Sequence, residues 1–431
     1  MKSGRTWFLG EYISYWVVRA FGAFVRILPV RVALAIGKAL GVLVYYFGIR
    51  RRRTVYKNLW IAFAKSKSPE QIKAIAKETF INYGQNLIEL FRFPLLDEQK
   101  LKHYVKFDGK ENIDEAVRQG KGVILLPMHF GSWELASRIG STLGHPYKVL
   151  VKPQKKYSRL GDLLNSYRDS GQDIGVVERG MGTREILKSL KSNQVVAIVV
   201  DQGGRDGTLV PFFAREASMA DGALRIALKT GAPLCFTAIK RVDGPYHHLT
   251  IHKPFDLVNT GDTDKDVVAN LGKVVALMEK YINESPAEYM WFYKIWKYSK
   301  EAVIKIVTDG KAGHLRQAET IASLLKTVLA ERGIRAKLPI VKADFKNKFL
   351  SRLCSLGSVL ANFFHSRGRH GLLRLCLTED SYAQMLAIRP DFIISCGSTV
   401  APVNFLLTKE YDAKNVAVLR PGRTGCRRHR P

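Results

Sequence analysis

Cysteine is scarce in this sequence, and the few cysteines follow no recognisable pattern. The 431 residues include five, which are widely spaced and form no CxxC or Cys/His arrangement. A disulfide framework and a zinc site are therefore not expected, and a reducing compartment is the natural interpretation. The five are Cys235, Cys354, Cys376, Cys396 and Cys426.

Acidic side chains are also in short supply. There are 38 of them against 68 lysines and arginines, which gives a formal net charge of +30. Such an excess predicts an anionic partner: nucleic acid, an acidic membrane surface, a phosphorylated substrate or an acidic carrier protein. The sequence has no zinc finger, RNA-recognition signature or regular basic and aromatic alternation, so we expect no nucleic-acid partner. Its 46% apolar and 25% charged residues exclude a disordered chain and a many-helix transporter.

Two apolar stretches occupy the first fifty residues. Trp7–Leu28 is interrupted by three charged residues, whereas Val32–Ile49 contains only Lys38. A spanning helix needs about 20 mainly apolar residues, so both stretches are marginal. They could span the membrane, lie in its interface or form a buried amphipathic pair in a soluble core. A cleavable signal peptide fits poorly, because no small-residue cleavage site follows a short apolar region.

A basic cluster directly follows these stretches. Arg50–Arg53 precede Lys57, Lys65 and Lys67. Clusters of this kind bind anionic headgroups and mark the cytoplasmic side of a membrane. We therefore predict that residues 1–53 form an N-terminal membrane-associated helical region.

Continuous apolar strands alternate with helical patterns between residues 122 and 252, which predicts a mixed α/β sheet. Ligands of such sheets bind beyond the carboxyl ends of the strands. The predicted strands are Gly122–Pro127, Val195–Val200, Leu234–Lys240 and His248–His252, and the predicted helices are Thr183–Leu190 and Asp221–Lys229.

The pattern restarts near Lys300. Ala302–Val307 and Asp391–Ser395 read as strands, with a helix over about His314–Glu331. We therefore predict an α/β domain over residues 54–300, a truncated Rossmann-like α/β unit over residues 301–421, and a disordered basic tail over residues 422–431.

His129 and Glu134 follow the first of the predicted strands, and Gly131 between them allows the chain to turn. A neutral imidazole can take a proton from a hydroxyl while a carboxylate fixes its tautomer. A helix opening near Ser132 would supply backbone N–H groups. The same spacing fits a capped helix with a surface glutamate, so spacing alone leaves both interpretations open.

The string Leu126–Glu134 (LPMHFGSWE) resembles the His-x4-Asp/Glu motif of glycerolipid-type acyltransferases. More closely, the chain from Met1 to about Lys300 resembles the bacterial lipid A biosynthesis (lauroyl/myristoyl) acyltransferase family. The sequence departs from the family at Tyr293, where His is usual, and at the Gly203-Gly204-Arg205 loop. The matching segments are Arg50–Asn58, Val200–Gln202, Val210–Phe213, Gly222–Arg225, Thr230–Pro233 and Pro286–Lys297.

The resemblance implies transfer of an acyl chain from an acyl carrier protein or coenzyme A thioester to a hydroxyl of an anionic glycolipid, a lipid A precursor. His129 would be the general base and Glu134 would orient it. Backbone N–H groups near Gly131, or a cation such as Lys152 or Arg179, would stabilise the oxyanion. It implies no covalent acyl-enzyme, cofactor or metal, and it places the protein at the inner (plasma) membrane with the catalytic domain facing the cytoplasm.

Five residues are candidates for substrate binding: Lys152, Arg179, Asp201, Gln202 and Arg225. Asp201 could equally cap the end of a strand, and Arg225 could be solvated on a helix. Two other functions stay open. One is acyl transfer to a different acceptor, such as a phosphatidyl-sugar or a lysophospholipid. The other is a non-catalytic basic protein that binds membranes.

Val307–His314 (VTDGKAGH) with Gln317 resembles the opening of the ELM1-like (mitochondrial fission protein) family, whose fold is similar to GT-B glycosyltransferases. Arg389–Ser398 resembles a later strand and loop of that family. The family domain is usually about twice as long as this segment. The resemblance therefore implies a partial domain without its nucleotide-sugar half, with a scaffold role as the alternative.

Overall fold

The computed structural model describes residues 3–151, 158–169, 174–178, 182–363 and 370–418. The chain divides into two compact units. Unit one comprises Met1–Ile49, Lys77–Val210 and Ser218–Met290, and unit two comprises Arg50–Ala76, Pro211–Ala217 and Trp291–Pro431. Both units are discontinuous in sequence, unlike the predicted domains, whose boundaries at residues 53, 300 and 421 stay predictions. The predicted tail, residues 422–431, lies outside the described residues.

The helices vary from about two turns to about seven turns. They are α1 Ser3–Ile27, α2 Val30–Phe47, α3 Ile49–Phe63, α4 Pro69–Arg92, α5 Glu98–Tyr104, α6 Lys110–Arg118, α7 Trp133–Ile139, α8 Ser158–Asp169, α9 Gly182–Lys191, α10 Gly222–Thr230, α11 Thr263–Glu284, α12 Ala312–Glu331, α13 Lys348–Phe363, α14 His370–Cys376, α15 Glu379–Ala387 and α16 Ala401–Tyr411.

The strands are mostly short. They are β1 Val105–Asp108, β2 Val123–Pro127, β3 Tyr147–Val151, β4 Ile174–Glu178, β5 Val195–Ala197, β6 Thr208–Phe212, β7 Arg215–Met219, β8 Leu234–Asp243, β9 Tyr246–Pro254, β10 Glu301–Thr308, β11 Arg335–Lys337, β12 Ile340–Lys342, β13 Phe392–Cys396 and β14 Lys414–Val418.

Unit one is built on a seven-stranded sheet in the order β1-β9-β8-β2-β5-β3-β4. The β8–β9 pair is antiparallel and the other neighbours are parallel, so the prediction of a mixed α/β sheet is confirmed. The central strands β2 and β5 are buried, as their continuous apolar sequences require. Because β2 and β5 are parallel neighbours, the segments after their carboxyl ends emerge side by side.

The second predicted strand is shorter than expected. It ends at Ala197 as a paired strand, but the next residues stay extended along β2. The N–H of Ile198 donates to Leu125 O at 2.9 Å, and the N–H of Val200 donates to Pro127 O at 3.2 Å. Because these two hydrogen bonds keep the chain alongside β2, Asp201 lies beside the loop that follows β2.

The N-terminal helix α2 packs closely on α4. A Cβ added to Gly84 would lie 2.2 Å from the Gly37 carbonyl oxygen, and one added to Gly41 would lie 2.3 Å from Phe80 O. Small residues at such crossings let two backbones approach. Other apolar side chains of α2 are exposed, including Leu43 and Phe47. Among the described residues, α2 alone is long and apolar enough to cross a membrane, and 28% of it is buried.

Unit two contains a parallel sheet in the order β11-β10-β13-β14, with β12 also paired to β10. The predicted strands after Lys300 are present as β10 and β13, and the predicted helix is present as α12. Alanines of α12, Ala318 and Ala322, pack with Ile304, Ile306 and Ile394 of the sheet. The unit is therefore α/β, while its assignment as Rossmann-like stays a prediction.

Candidate active site

The ends of β2 and β5 bring a histidine and a buried aspartate together. His129 follows β2 by two residues, and Asp201 follows the extended continuation of β5. The His129 Nδ1 atom lies 2.8 Å from Asp201 Oδ1, and the backbone N–H of His129 donates to Asp201 Oδ2 at 3.1 Å. The Asp201 side chain is 0% exposed and the imidazole is 19% exposed. One carboxylate thus fixes both the ring and the backbone of His129.

The carboxylate at His129 Nδ1 is not the one that the sequence predicted. Glu134 was expected there, because it follows His129 by only five residues. Glu134 instead lies in the first turn of α7, where it lines the same cavity as His129. The atom at hydrogen-bonding distance from Nδ1 belongs to Asp201, which the sequence offered only as a substrate contact or a strand cap.

Opposing effects set the pKa of the His129 imidazole. Burial lowers this pKa, but the Asp201 charge, the hydrogen bond that the ring donates to Asp201 and the Glu134 charge all raise it. The net result is a pKa above the ordinary value of 6.5. The imidazole is therefore a stronger base than free histidine, and it is neutral only above this raised pKa.

Three backbone contacts hold the loop that carries His129. The N–H of Met290 donates to His129 O at 2.9 Å, and the N–H of Gly131 donates to Glu288 O at 3.0 Å. The Asn86 amide donates to Gly131 O at 2.6 Å. The Gly131 N–H is therefore already bonded, which leaves the other backbone N–H groups near Gly131 for the oxyanion role that the resemblance implies.

Gly131 is itself required by this arrangement. Its φ is +57°, and an added Cβ would lie 1.9 Å from the Ile239 carbonyl oxygen. A side chain at this position would therefore be strained and would also clash with β8.

A buried ionic network around Glu89 contacts the same loop. The Ser132 hydroxyl donates to Glu89 Oε2 at 2.7 Å. Arg241 binds both oxygens of Glu89, with Nη2 at 2.8 Å from Oε2, and His247 Nε2 lies 2.9 Å from Oε1. Burial alone would raise the pKa of Glu89, but His247 and Arg241 together hold it well below its usual range. Sequence reasoning missed this network, because its members are far apart along the chain.

A cavity of about 500 Å³ opens beside the imidazole. The Trp133 ring meets the His129 ring edge to face, with 5.5 Å between their centroids. Polar groups at the cavity include Glu134 and Gln202, whose Nε2 lies 3.4 Å from His129 Nδ1. The apolar part of the lining consists of Phe93, Val149, Ile186, Ile198 and Ile226.

Of the remaining predicted residues, only Arg225 lies within the described part of the chain. Arg225 lies on α10, and its guanidinium bonds Asp221 and Asp264, each at 2.8 Å. It is not among the described residues that line the cavity. These contacts agree with the other interpretation of Arg225, as a solvated residue on the surface of a helix. Lys152 and Arg179 lie outside the described residues.

The site's donor set does not resemble a metal centre. Within the described ranges, no three His, Cys, Asp or Glu side chains are grouped so as to hold a metal ion. The described cysteines are buried and unbridged: Cys235, Cys354, Cys376 and Cys396. Burial raises the pKa of Cys235 to about 12, which suppresses thiolate formation there. Cys426 lies outside the described residues.

Comparison with known proteins gives the family. The model of the bacterial lipid A biosynthesis acyltransferase family matches residues 3–298. The lipid A biosynthesis lauroyltransferase of Escherichia coli (strain K12) is 28% identical over 280 residues, which is 64% of this chain and 89% of the relative. The palmitoleoyltransferase of the same strain is 25% identical over 296 residues, which is 68% and 90% respectively.

A third relative has a different named substrate. The phosphatidylinositol mannoside acyltransferase of Mycobacterium tuberculosis (strain CDC 1551 / Oshkosh) is 30% identical over 163 residues, 36% of this chain and 50% of the relative. The family match confirms the resemblance that the sequence showed up to about Lys300. The chain therefore belongs to the bacterial lipid A biosynthesis acyltransferase family, and it is an O-acyltransferase.

Proposed function

We propose that this protein transfers a fatty acyl chain from an acyl carrier protein thioester, or a coenzyme A thioester, to a hydroxyl of a lipid A precursor. The observation that carries the proposal is the His129 imidazole, held at Nδ1 by the buried Asp201 carboxylate and bordering a partly apolar cavity. We place the reaction at the cytoplasmic face of the inner membrane. The net charge of +30 supports an acidic carrier protein and a phosphorylated acceptor as partners.

The proposed reaction is direct acyl transfer with His129 as general base. With Nδ1–H donated to Asp201, Nε2 takes the proton of the acceptor hydroxyl. The oxygen attacks the thioester carbonyl, a C–O bond forms, and the carbonyl electrons become an oxyanion. When the oxyanion collapses, the C–S bond breaks, and the thiolate takes its proton from the imidazolium. Asp201 stabilises the imidazolium between these two proton transfers, as a buried carboxylate bonded to the ring can.

Two other cavity residues have proposed roles. Glu134 adds negative charge near the imidazole, which favours its protonated form. Gln202 lines the same cavity, with its Nε2 3.4 Å from His129 Nδ1, and its N–H₂ is a suitable donor for the thioester carbonyl oxygen. Lys152 and Arg179 remain proposed contacts for anionic groups of the substrates. We do not retain Arg225 in that role, because two carboxylates already engage its guanidinium.

The apolar part of the cavity suits an acyl chain. Its aliphatic side chains come from β3, α9, α10 and the β5 continuation, and their common face would bury methylene groups at about 0.8 kcal/mol each. The thioester carbonyl would then lie at the polar end, near His129 and Gln202.

Acyl transfer to a phosphatidyl-sugar is the second candidate, favoured by the identity to the phosphatidylinositol mannoside acyltransferase. Mass spectrometry of products separates the two. The purified full-length chain would be given a defined acyl carrier protein thioester with either a lipid A precursor or phosphatidylinositol mannoside. We expect the mass of one acyl chain, less water, to be added to the lipid A precursor. Addition to phosphatidylinositol mannoside alone would establish the alternative, and no addition to either would refute both.

For the segment beyond residue 300 we propose a scaffold role within unit two. Arg215, from the family-matched region, forms a buried ion pair with Asp391 at 2.8 Å, and Trp296 Nε1 donates to Arg215 O at 3.1 Å. Trp60 also packs edge to face on Tyr411. These contacts support a structural partnership between the two parts of the sequence. The resemblance to the ELM1-like family remains a prediction.

A further inference from the structure

Unit one contains a further cavity beside α2, where this helix meets α4 and the turn that joins β8 to β9. Its volume is about 320 Å³. The described residues that line it are all different from those that line the acyl-transfer cavity. They comprise Lys38 on α2, three residues of α4 (Glu78, Asn82 and Gln85), the segment Arg241–Gly244 and the segment Ser285–Glu288.

Three buried polar atoms of this lining have no hydrogen-bond partner among the described residues. They are Gln85 Nε2, Arg241 Nε and Glu288 Oε2. Gln85 is only 2% exposed, and the Arg241 side chain is 7% exposed. A buried polar group without a partner lowers the stability of a protein. Two of these atoms donate and one accepts, so the cavity suits an occupant that has acceptor oxygens and an N–H or O–H donor.

One end of the cavity carries two carboxylates, those of Glu288 and Glu78. The Asn82 amide donates to Glu288 Oε1 at 3.3 Å, which places Glu288 beside the middle of the three lining residues on α4. Glu78 lies on the same face of α4, four residues before Asn82. Burial raises the pKa of Glu288 to about 7. A cation beside Oε2 would therefore stabilise the ionised carboxylate.

The hydrogen-bond donors lie one turn further along α4. Gln85 is at this turn, and the Arg241 guanidinium reaches it as well, because Nη2 donates to Asn86 Oδ1 at 2.7 Å. Lys38 brings a positive charge to the same place from α2. Its neighbour Gly37 packs on α4, where an added Cβ would lie 3.0 Å from Gln85 Cα. The donor end and the carboxylate end are thus about 5 Å apart along the axis of α4.

A phosphoethanolamine group has the chemistry that complements these two ends. Its phosphate oxygens accept hydrogen bonds from amide, guanidinium and amine groups, and its primary ammonium donates to carboxylates. The ethylene linker between them spans a distance comparable to one helical turn. A choline group has no N–H and cannot donate to Glu288 Oε2, and a glycerol group has no positive charge.

The apolar face of α2 beside Lys38 favours a phospholipid as the source of this group. Ala35, Ala39 and Val42 lie within about 100° of Lys38 around the helix axis, and each is at least partly exposed. Among the described residues, α2 is also the helix that is long and apolar enough to cross a membrane. A lipid with its headgroup in the cavity would place its acyl chains along this face.

We propose that the cavity beside α2 binds the phosphoethanolamine headgroup of a membrane phospholipid. Gln85, Arg241 and Lys38 bind the phosphate oxygens, and Glu288 accepts an N–H of the ammonium, with Glu78 beside it. The acyl chains lie along the exposed face of α2. This lipid site takes no part in the proposed acyl transfer.

Binding of short-chain phospholipids below their micelle concentration tests this site. Isothermal titration calorimetry of the purified full-length chain in maltoside detergent compares dihexanoyl-phosphatidylethanolamine with dihexanoyl-phosphatidylcholine. The two lipids share the phosphate and the chains, but the choline lipid has no ammonium N–H. We expect the ethanolamine lipid to bind at least about tenfold more tightly, because one hydrogen bond to a charged group contributes about that factor.

Two variants separate the two ends of the cavity. Glu288→Gln should abolish the preference for ethanolamine, because the amide keeps the shape of the side chain but loses the charge that binds the ammonium. Gln85→Met removes a donor to the phosphate and should weaken the binding of both lipids by a similar factor. Glu284→Gln is the matched control, since Glu284 is exposed and is not among the residues that line this cavity. It should keep the wild-type preference, and thermal unfolding of each variant confirms folding.

Four results would overturn the proposal. Equal binding of the two lipids by wild type would show that the cavity has no ammonium site and holds solvent only. A preference that survives in Glu288→Gln would place the ammonium elsewhere, and its loss in Glu284→Gln as well would indicate diffuse charge. Glycerophosphoethanolamine, which has no acyl chains, should bind more weakly than the lipid, and equal affinity would identify a site for a soluble zwitterion.

The titrations contain neither an acyl donor nor an acyl acceptor. Failure to bind the ethanolamine lipid would therefore leave the proposed acyl transfer untouched, and failure of acyl transfer would leave the lipid site untouched.

Discussion

Each unit contains a histidine–aspartate pair beyond a parallel strand, and the two pairs are built differently. In unit one, His129 and Asp201 are 72 residues apart and meet because two neighbouring strands end together. In unit two, Asp309 on the loop after β10 is five residues from His314 in the first turn of α12, and His314 Nδ1 lies 3.0 Å from Asp309 Oδ2. The first pair borders a cavity of about 500 Å³. The second packs against Gly397, where an added Cβ would lie 2.7 Å from His314 Nδ1.

The comparison shows that a short sequence spacing does not identify the functional partner of a histidine. A spacing of five residues predicted a pair of His129 with Glu134, and the same spacing forms the Asp309–His314 pair in unit two. At His129 the carboxylate comes instead from Asp201, which follows another strand. The unit-one pair borders a cavity of about 500 Å³, where a substrate hydroxyl can reach the imidazole.

The largest expected effect separates the two histidines. His129→Gln should lower kcat for acyl transfer by about 10²–10⁴-fold, because it removes the general base. His314→Gln should leave kcat unchanged. Initial rates with a thioester donor measure both, after circular dichroism has shown retained folding. Similar losses in the two variants would remove the distinction between the pairs.

The next effect concerns the support beneath the His129 loop. Glu89→Gln leaves Arg241 without its buried counter-charge, so we expect a loss of about 3–5 kcal/mol in the free energy of unfolding. Glu185→Gln, in the partly exposed pair with Lys148, should cost under about 1 kcal/mol. Urea unfolding measures both, and equal losses would show that the network does not stabilise unit one.

The same network predicts a dependence of stability on pH. The folded-state pKa of Glu89 is depressed, so its contribution is present above the unfolded-state pKa of about 4.3 and is lost as the pH falls below it. Between pH 5 and pH 3, roughly, wild type should lose more unfolding free energy than Glu89→Gln. If the free energy of unfolding falls equally with pH in wild type and in Glu89→Gln, the role assigned to the Glu89 carboxylate is contradicted.

Unit two has a corresponding buried carboxylate in Asp391. Burial alone would raise its pKa, but the charges of Arg215, Arg389 and Lys57 and the hydrogen bond from Arg215 lower it to about 2. Asp391→Asn should destabilise the protein by about 3 kcal/mol, and the wild-type contribution should disappear as the pH falls from about 4 towards 2. Asp344→Asn, in an exposed pair with Lys342, is the control. Equal losses in the free energy of unfolding for Asp391→Asn and Asp344→Asn would contradict the proposed scaffold contact.

The smallest effect concerns Glu134. Its charge is the smaller of two that raise the pKa of His129, so Glu134→Gln should move the acidic limb of the kcat/KM profile to lower pH by less than about one unit. A shift larger than that caused by Asp201→Asn would restore Glu134 as the orienting carboxylate.

Much of the framework could be predicted from the sequence because its signals are local. The apolar runs gave β2, β8 and β10, and the helical periodicity gave α12, since burial on both faces of a parallel strand leaves a continuous apolar string. The family resemblance rested on motifs that can be read in order along the chain. His129 was found because it stands directly after such a strand.

The partners of His129 and Ser132 could not be predicted in the same way. Asp201 and Glu89 reach them through sheet order and helix packing, which a single sequence does not encode at any fixed spacing. The bonding of the Gly131 N–H to Glu288 likewise depends on a residue more than 150 positions away. The contact between Arg215 and Asp391 within unit two has no sequence signal for the same reason, since these residues are 176 positions apart.

The acidic limb of the kcat/KM profile for Asp201→Asn tests the role of His129 most directly. Wild type should become active as the pH rises through a pKa above 6.5, when the imidazole turns neutral. Loss of the Asp201 charge should move that limb to lower pH and reduce the plateau, while Asp309→Asn should change neither. If the acidic limb and the plateau of kcat/KM in Asp201→Asn are the same as in wild type, Asp201 does not set the pKa of His129 and the account is contradicted.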